Sequence, residues 1–428
     1  MLKGGVVNFF RACRILKVKE MNIKIRLSIL NFFEFFAWGS WLLSAGVYMF
    51  STLHFTGVQI GAVYATMGIT SLFMPTIMGV IADRWIRVEK LFGFCHWIVA
   101  CLLFFLTQVK DFKTFYTIMF LVNSFYMPTM ALNYSVSYSV LSKLKFDIVK
   151  TFPSIRVWGT IGFIIAAWGI DLMNWSTSEY QFYAASIASI FLGVYAFTLP
   201  KSTVMKSESN SFWQIFASQV VLIFKNSQLR IFFIFSILMG SVLQITNIWG
   251  VPFLNDFALN YPDSFAVRHS VFVLSLSQIS ETIFILAIPF FYKKFGIKVV
   301  ILISMLAWVF RFGFFAVGNP EGIGLVFLLG SMIIYGMAFD FFNISGSLYL
   351  EEETPENIRS SVQALYSMTT GGLGPIIGAY CSGYIVDFFT KQAVKDWSLI
   401  WFVFAGYALV IALCFAIVFR SSKQTNKI

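Results

Sequence analysis

The sequence is poor in charge. Only 12% of its 428 residues are Asp, Glu, Lys or Arg, where a soluble domain carries about a quarter. With 58% hydrophobic residues and a mean hydropathy of +0.78, this excludes a soluble globular domain. It leaves a polytopic, all-helical membrane protein. Cysteine is scarce as well. Cys13, Cys95, Cys101, Cys381 and Cys414 are scattered, four of them within apolar runs. They give neither metal-ligand spacing nor a disulfide framework. The three histidines, His54, His96 and His269, do not cluster in sequence. No nucleophile–base motif is evident, so no enzyme activity, cofactor or bound metal is expected. The net charge of +11 does not argue for nucleic acid, because the basic residues sit in alternate loops as membrane topology demands.

Long apolar runs are plentiful. Twelve segments fall near 27–52, 58–82, 91–109, 115–141, 149–173, 178–199, 231–254, 270–292, 299–317, 323–350, 361–388 and 397–419. The longest polar linker, 200–230, divides them into two sets of six. The expected organisation is a lead at 1–26, a six-helix bundle at 27–199, the linker, a second bundle at 231–419 and a tail at 420–428. The lead is basic and mildly amphipathic without a signal-cleavage site, and Met21 is a second candidate start. Lys and Arg crowd the lead, the loops holding Arg84, Arg87 and Lys90, Lys143, Lys145 and Lys150, and Lys293, Lys294 and Lys298, the linker, and the tail. The opposite loops hold only Lys110, Lys113, Arg268, Lys391 and Lys395. By the positive-inside rule both termini are cytoplasmic.

The run from Tyr335 to Glu353 organises the second half. It buries Asp340 in the tenth segment, and a carboxylate there costs roughly 3 kcal/mol or more unless it meets a partner or a wet cavity. At 3.6 residues per turn Asp340, Asn343 and Ser347 form a polar stripe, while Tyr335 and Phe339 pair at i, i+4. Three other segments add polar residues. Arg156, Thr160 and Phe163 share one face of the fifth. Gln244 and Asn247 lie at i, i+3 on the seventh, and Gln278 and Glu281 at i, i+3 on the eighth. Arg156 has two readings. If Pro153 begins its helix, it snorkels to the surface; if the helix begins near Asp147, it lies well inside. Amides and a carboxylate read hydroxyls and ring edges, and the aromatics stack on flat faces. The set suits a neutral, hydroxyl-rich solute, which leaves nucleoside and sugar both open. Asp340 is the first candidate for proton coupling, with Arg156 as its basic partner and Glu281 as the rival carrier. Glu34, four residues from Trp38, is a further intramembrane acid. Arg311 reads as a helix-end or interhelical partner. Gly371, Gly372, Gly374 and Pro375 mark close packing or a bendable eleventh helix.

The second segment ends in Gly79, Asp83, Arg84 and Arg87, which resembles the G-x-x-x-D-R-x-x-R loop signature of the major facilitator superfamily. The eighth ends in a similar basic turn at Lys293, Lys294 and Lys298. RVWGTIGF, LQITNIWG, SQISETIFIL, YGMAFDFFNISGS, MPTIMGVIADRW and FVFAGY resemble, in order and spacing, the bacterial nucleoside:proton symporters of that superfamily, from Met21 to about Phe419. The resemblance implies a twelve-helix fold in two six-helix halves. It implies proton-driven nucleoside uptake across the bacterial inner membrane by alternating access, and it leads to the expectation of a monomer. It places the nucleoside pocket on Arg156, Thr160, Phe163, Gln244, Asn247, Gln278, Glu281, Tyr335 and Phe339, with Asp340 beside it. Glu34 departs from the family, which carries an amide there, and that leaves a second proton site open. A proton-coupled sugar or glycoside symporter is the alternative.

Overall fold

The computed structural model describes residues 22–200, 226–354, 359–392 and 394–420. The lead to residue 21, the linker from 201 to 225 and the tail from 421 lie outside the described residues, as does the side chain of Asp83. Among the described residues the chain forms twelve long helical stretches, α1 to α12, with short helical turns at Phe257–Leu259 and Phe265–Arg268 between the seventh and eighth. The long stretches match the twelve apolar segments to within a few residues at most ends.

α1 runs over 22–39, loosens into a turn at 40–44 and continues through Ala45–Val47 into a π-helical turn at Tyr48–Thr52. This break was not expected. Its cause is local and tertiary together. The Ser40 hydroxyl donates to the Phe36 carbonyl at 2.8 Å, a back-bond that competes with the helix ladder. Gly39 and Gly46 let other backbones come close: a Cβ at Gly39 would lie 2.5 Å from the Phe163 carbonyl, and one at Gly46 2.6 Å from that of Ile248.

α2 (Gly57–Arg84) opens with a capping box between Thr56 and Gln59. α3 spans Val88–Leu106, and α4 spans Phe112–Lys143 behind an Asp111 cap. α5 spans Ile148–Leu172, and its start settles the question over Pro153. Asp147 caps it by accepting from the Lys150 N–H at 3.2 Å, and Pro153 lies inside the helix, in its second turn, where it leaves the Val149 carbonyl without its i+4 donor. Arg156 is therefore more than two turns inside. α6 (Tyr180–Ala196) is 17 residues long, near the lower limit of about 17 for crossing a bilayer. α7 spans Ser227–Asp256. α8 and α9 share the run Ser270–Val317, broken at Gly296, where φ is 72°. A glycine is needed for that conformation, and the basic turn of Lys293, Lys294 and Lys298 surrounds it. α10 is Gly322–Glu353. α11 joins Arg359–Met368 and Gly374–Phe388 through a π turn at Thr369–Leu373, which holds two of the glycines expected to bend it. α12 is Trp397–Val418.

The halves meet along α2 and α11, and along α5 and α8. Side chains added at Gly61 or Gly383 would collide with the carbonyls of Ala379 or Gly57, and a Cβ at Gly68 would lie 2.7 Å from that of Gly372. Gly79 is on the same face, three turns past Gly68, yet nothing lies within 4 Å of its Cβ position. α2 and α11 thus touch at the Gly57–Asp387 end and part towards the Arg84 end. On the other seam the Trp168 indole donates to Ser275 Oγ at 2.7 Å and its ring stacks on Phe272 with centroids 4.6 Å apart.

Candidate substrate pocket

The pocket begins with how α8 is pressed onto α10. Gly336 has no side chain, so the Ser280 backbone comes against it. The Gly336 N–H donates to Ser280 Oγ at 3.1 Å, and that hydroxyl donates to the Ile333 carbonyl. This seam fixes Gln278 and Glu281 beside Tyr335 and Asp340. Gln278, Glu281 and Asp340 are all within electrostatic reach of the Tyr335 hydroxyl. Tyr335 and Phe339 stack nearly parallel, with centroids 5.8 Å apart and 6° between planes. The i, i+4 pair read from the sequence is thus a flat aromatic surface.

Arg311 supports this surface from behind. It is only 1% exposed and lies 4.5 Å over the Tyr335 ring. Its Nη1 donates to the Ser331 carbonyl at 2.7 Å and to Ser277 Oγ at 3.3 Å. It is the interhelical partner the sequence suggested, tying α9 to α8 and α10. Its cation–π contact with a pocket residue was not foreseen.

Arg156 comes from the other half. Its guanidinium lies 3.9 Å over the Phe35 ring and its Nε donates to the Tyr134 hydroxyl at 3.1 Å. It is half-buried and acts electrostatically on Glu281. Among the described residues no ion pair joins Arg156 to Asp340, the link expected from the sequence. Asp340 is 4% exposed, its Oδ2 has no hydrogen-bond partner among the described residues, and Glu281 is within Coulombic reach of it.

The remaining expected residues fall as follows. Phe163 is buried and meets Trp38 edge-on at 6.2 Å. Thr160 and Asn247 are half-buried. Gln244 is 5% exposed, and its Nε2 reaches no partner among the described residues. A buried amide is normally satisfied, so an unmatched one points to a ligand or water. The polar stripe divides. Asn343 lines a 310 Å³ cavity with Phe339, Trp308 and Thr370, whereas Ser347 is taken up by Gln363, donating to its Oε1 at 3.0 Å.

Glu34 belongs to a second polar cluster inside the first half. Its Oε2 is 2.8 Å from His96 Nε2, and its Oε1 accepts from Thr129 Oγ1 at 2.7 Å. The Glu34 and His96 side chains are both fully buried. This pair was not legible in the sequence, because 62 positions separate its members.

The comparisons with known proteins fit this geometry. Residues 21–424 match the family described as nucleoside H+ symporter. The chain is 47% identical over 411 residues to xanthosine permease of Escherichia coli (strain K12), covering 95% of this chain and 98% of that protein. It is 45% identical over 404 residues to nucleoside permease NupG of the same organism, covering 94% and 96%. The crystal structure of the nucleoside transporter NupG superposes with a TM-score of 0.89 at 43% identity, covering 94% of this chain and all of that one. An auto-inhibited POT family peptide transporter shares the fold at a TM-score of 0.68 and 12% identity. A twelve-helix chain with this polar seam between its halves, matched along nearly its whole length, belongs to the nucleoside:proton symporter family of membrane transporters, not to the enzymes.

Proposed function

We propose that this chain imports nucleosides with protons across the bacterial inner membrane by alternating access, as a monomer, through a pocket formed by Arg156, Thr160, Phe163, Gln244, Asn247, Gln278, Glu281, Tyr335 and Phe339. The observation that carries the reading is the stacked Tyr335–Phe339 pair on α10, against which the Ser280–Gly336 seam holds the stretch of α8 that bears Gln278 and Glu281. A solute held there touches both halves, which is what a rocking transporter requires. Glu281 and the amides suit ribose hydroxyls and base edges, and the aromatic surface suits a planar base. Asp340, beside Phe339, carries the coupled proton.

The test is labelled uridine uptake into proteoliposomes, with and without an inward proton gradient, in competition with panels of nucleosides and sugars. Uptake should rise with the gradient, and nucleosides should compete while sugars do not. Competition by sugars alone would reassign the substrate.

We infer from the basic loops that both termini and the 200–230 linker lie on the cytoplasmic side. A cysteine at Asn319, between α9 and α10, should react with an impermeant thiol reagent added outside intact cells. One at Ser207 should not react. The opposite labelling pattern would invert the topology.

A further inference from the structure

At the end where the halves touch, each half lends a carboxylate to the other. α8 begins at Ser270, and its own cap residue, His269, makes no side-chain cap bond. Asp171, in the last turn of α5, supplies the cap. Its Oδ1 accepts from the Val271 N–H at 3.0 Å, and its Oδ2 lies 2.8 Å from His269 Nδ1. The Asp171 side chain is 1% exposed. α2 is treated alike. Thr56 caps only the Gln59 N–H, and the first N–H groups of a helix have no partner within it. Asp387, in the last turns of α11, takes two of them, accepting from Gly57 at 2.6 Å and Val58 at 2.8 Å. Lys395 lies within Coulombic reach of Asp387.

The two sites are related by the pseudo-symmetry of the fold. α5 and α11 hold the same place in each half, and so do α2 and α8. A carboxylate at a helix N-terminus is favourable for both charge and hydrogen bonding. Here each such contact crosses the plane along which the halves must separate.

We propose that Asp171 and Asp387 are paired latches between the halves, which hold this end of the transporter shut and set how often it opens. Neither residue belongs to the solute pocket. They act through the helix ends they cap, so they are positioning residues. The Trp168–Ser275 bond and the glycine contacts of α2 with α11 close the same seam, but they are neutral. The latches add four hydrogen bonds that all break when this end opens.

The test needs no substrate, so it stands apart from the transport reading. Spin labels go at Tyr180 and Leu259, which are 50% and 91% exposed in opposite halves at this end, in a background with all native cysteines replaced. Electron–electron distances are read in nanodiscs at fixed pH. The parent should show one short-distance population. D171A/D387A should raise the long-to-short ratio about tenfold, which equals about 1.4 kcal/mol. D171N/D387N keeps one acceptor at each helix end and should fall between the two. If the double alanine variant does not fold, Asp171→Ala and Asp387→Ala singly should each shift the ratio part of the way. Alanine variants with the parent's distances would overturn the latches. So would an asparagine pair as open as the alanine pair, because a merely structural role for the charge would not respond to a restored acceptor.

Discussion

Glu281→Ala is expected to lower uridine affinity about 100-fold while the protein folds as the parent does. Glu281 holds a central position in the proposed pocket. It is fixed by the Ser280–Gly336 seam, faces Arg156 of the opposite half and lies beside the Tyr335 ring. Its removal takes two acceptors from the solute. Hydrogen bonds to a charged group are worth about 1.5–3 kcal/mol, and about 2.7 kcal/mol is the 100-fold loss. Binding is measured by isothermal titration on purified protein, with thermal unfolding as the control. Glu281→Gln keeps one acceptor and should lose less. Affinity within threefold of the parent for the alanine variant would move the pocket elsewhere.

Asp340→Asn is expected to separate transport from accumulation. Asp340 is buried in the span and, among the described residues, forms no ion pair and carries one carboxylate oxygen that no donor reaches. A proton supplies the missing partner and cancels a charge that is costly at that depth. The asparagine is neutral throughout the cycle. It should bind uridine like the parent and exchange it across the membrane, because the pocket surface of Phe339 and Tyr335 is untouched. It should not concentrate uridine. One proton moving down 100 mV supplies about 2.3 kcal/mol, so the parent should accumulate uridine roughly fiftyfold and the variant not at all. Counterflow and gradient-driven uptake in the same proteoliposomes separate the two activities. A variant that still accumulates uridine would pass the coupling role to Glu281 or Glu34.

The twelve spans were legible in the sequence because a membrane helix is specified locally, by a run of about 20 apolar residues. The aromatic pair of α10 and the i, i+3 pairs of α7 and α8 were legible for the same reason: helical phase follows from spacing. Arg156 shows where local reading stops. Pro153 and Asp147 are both valid starts for α5, and only the folded chain shows Asp147 capping it. What stayed hidden depends on contacts between distant residues. The bend in α1 needs Phe163 and Ile248 pressed against its glycines. The seat of Arg156, over the Phe35 ring and against the Tyr134 hydroxyl, depends on how three helices pack together. Arg311 under Tyr335 and His96 beside Glu34 are packing outcomes with no sequence signal beyond the presence of a charge in an apolar run.

The Glu34–His96–Thr129 cluster has a consequence for biogenesis. α1, α3 and α4 each contribute one member, and α1 emerges from the ribosome first. Until α3 follows, α1 carries an acid into the bilayer with nothing to receive it, at a cost of roughly 3 kcal/mol on insertion scales. α1 is therefore a poor independent insertion unit. Its acid is matched only when α3 and α4 have followed. The first half is committed to assembling as a group of at least four helices, and His96 and Thr129 are the point at which that commitment is made.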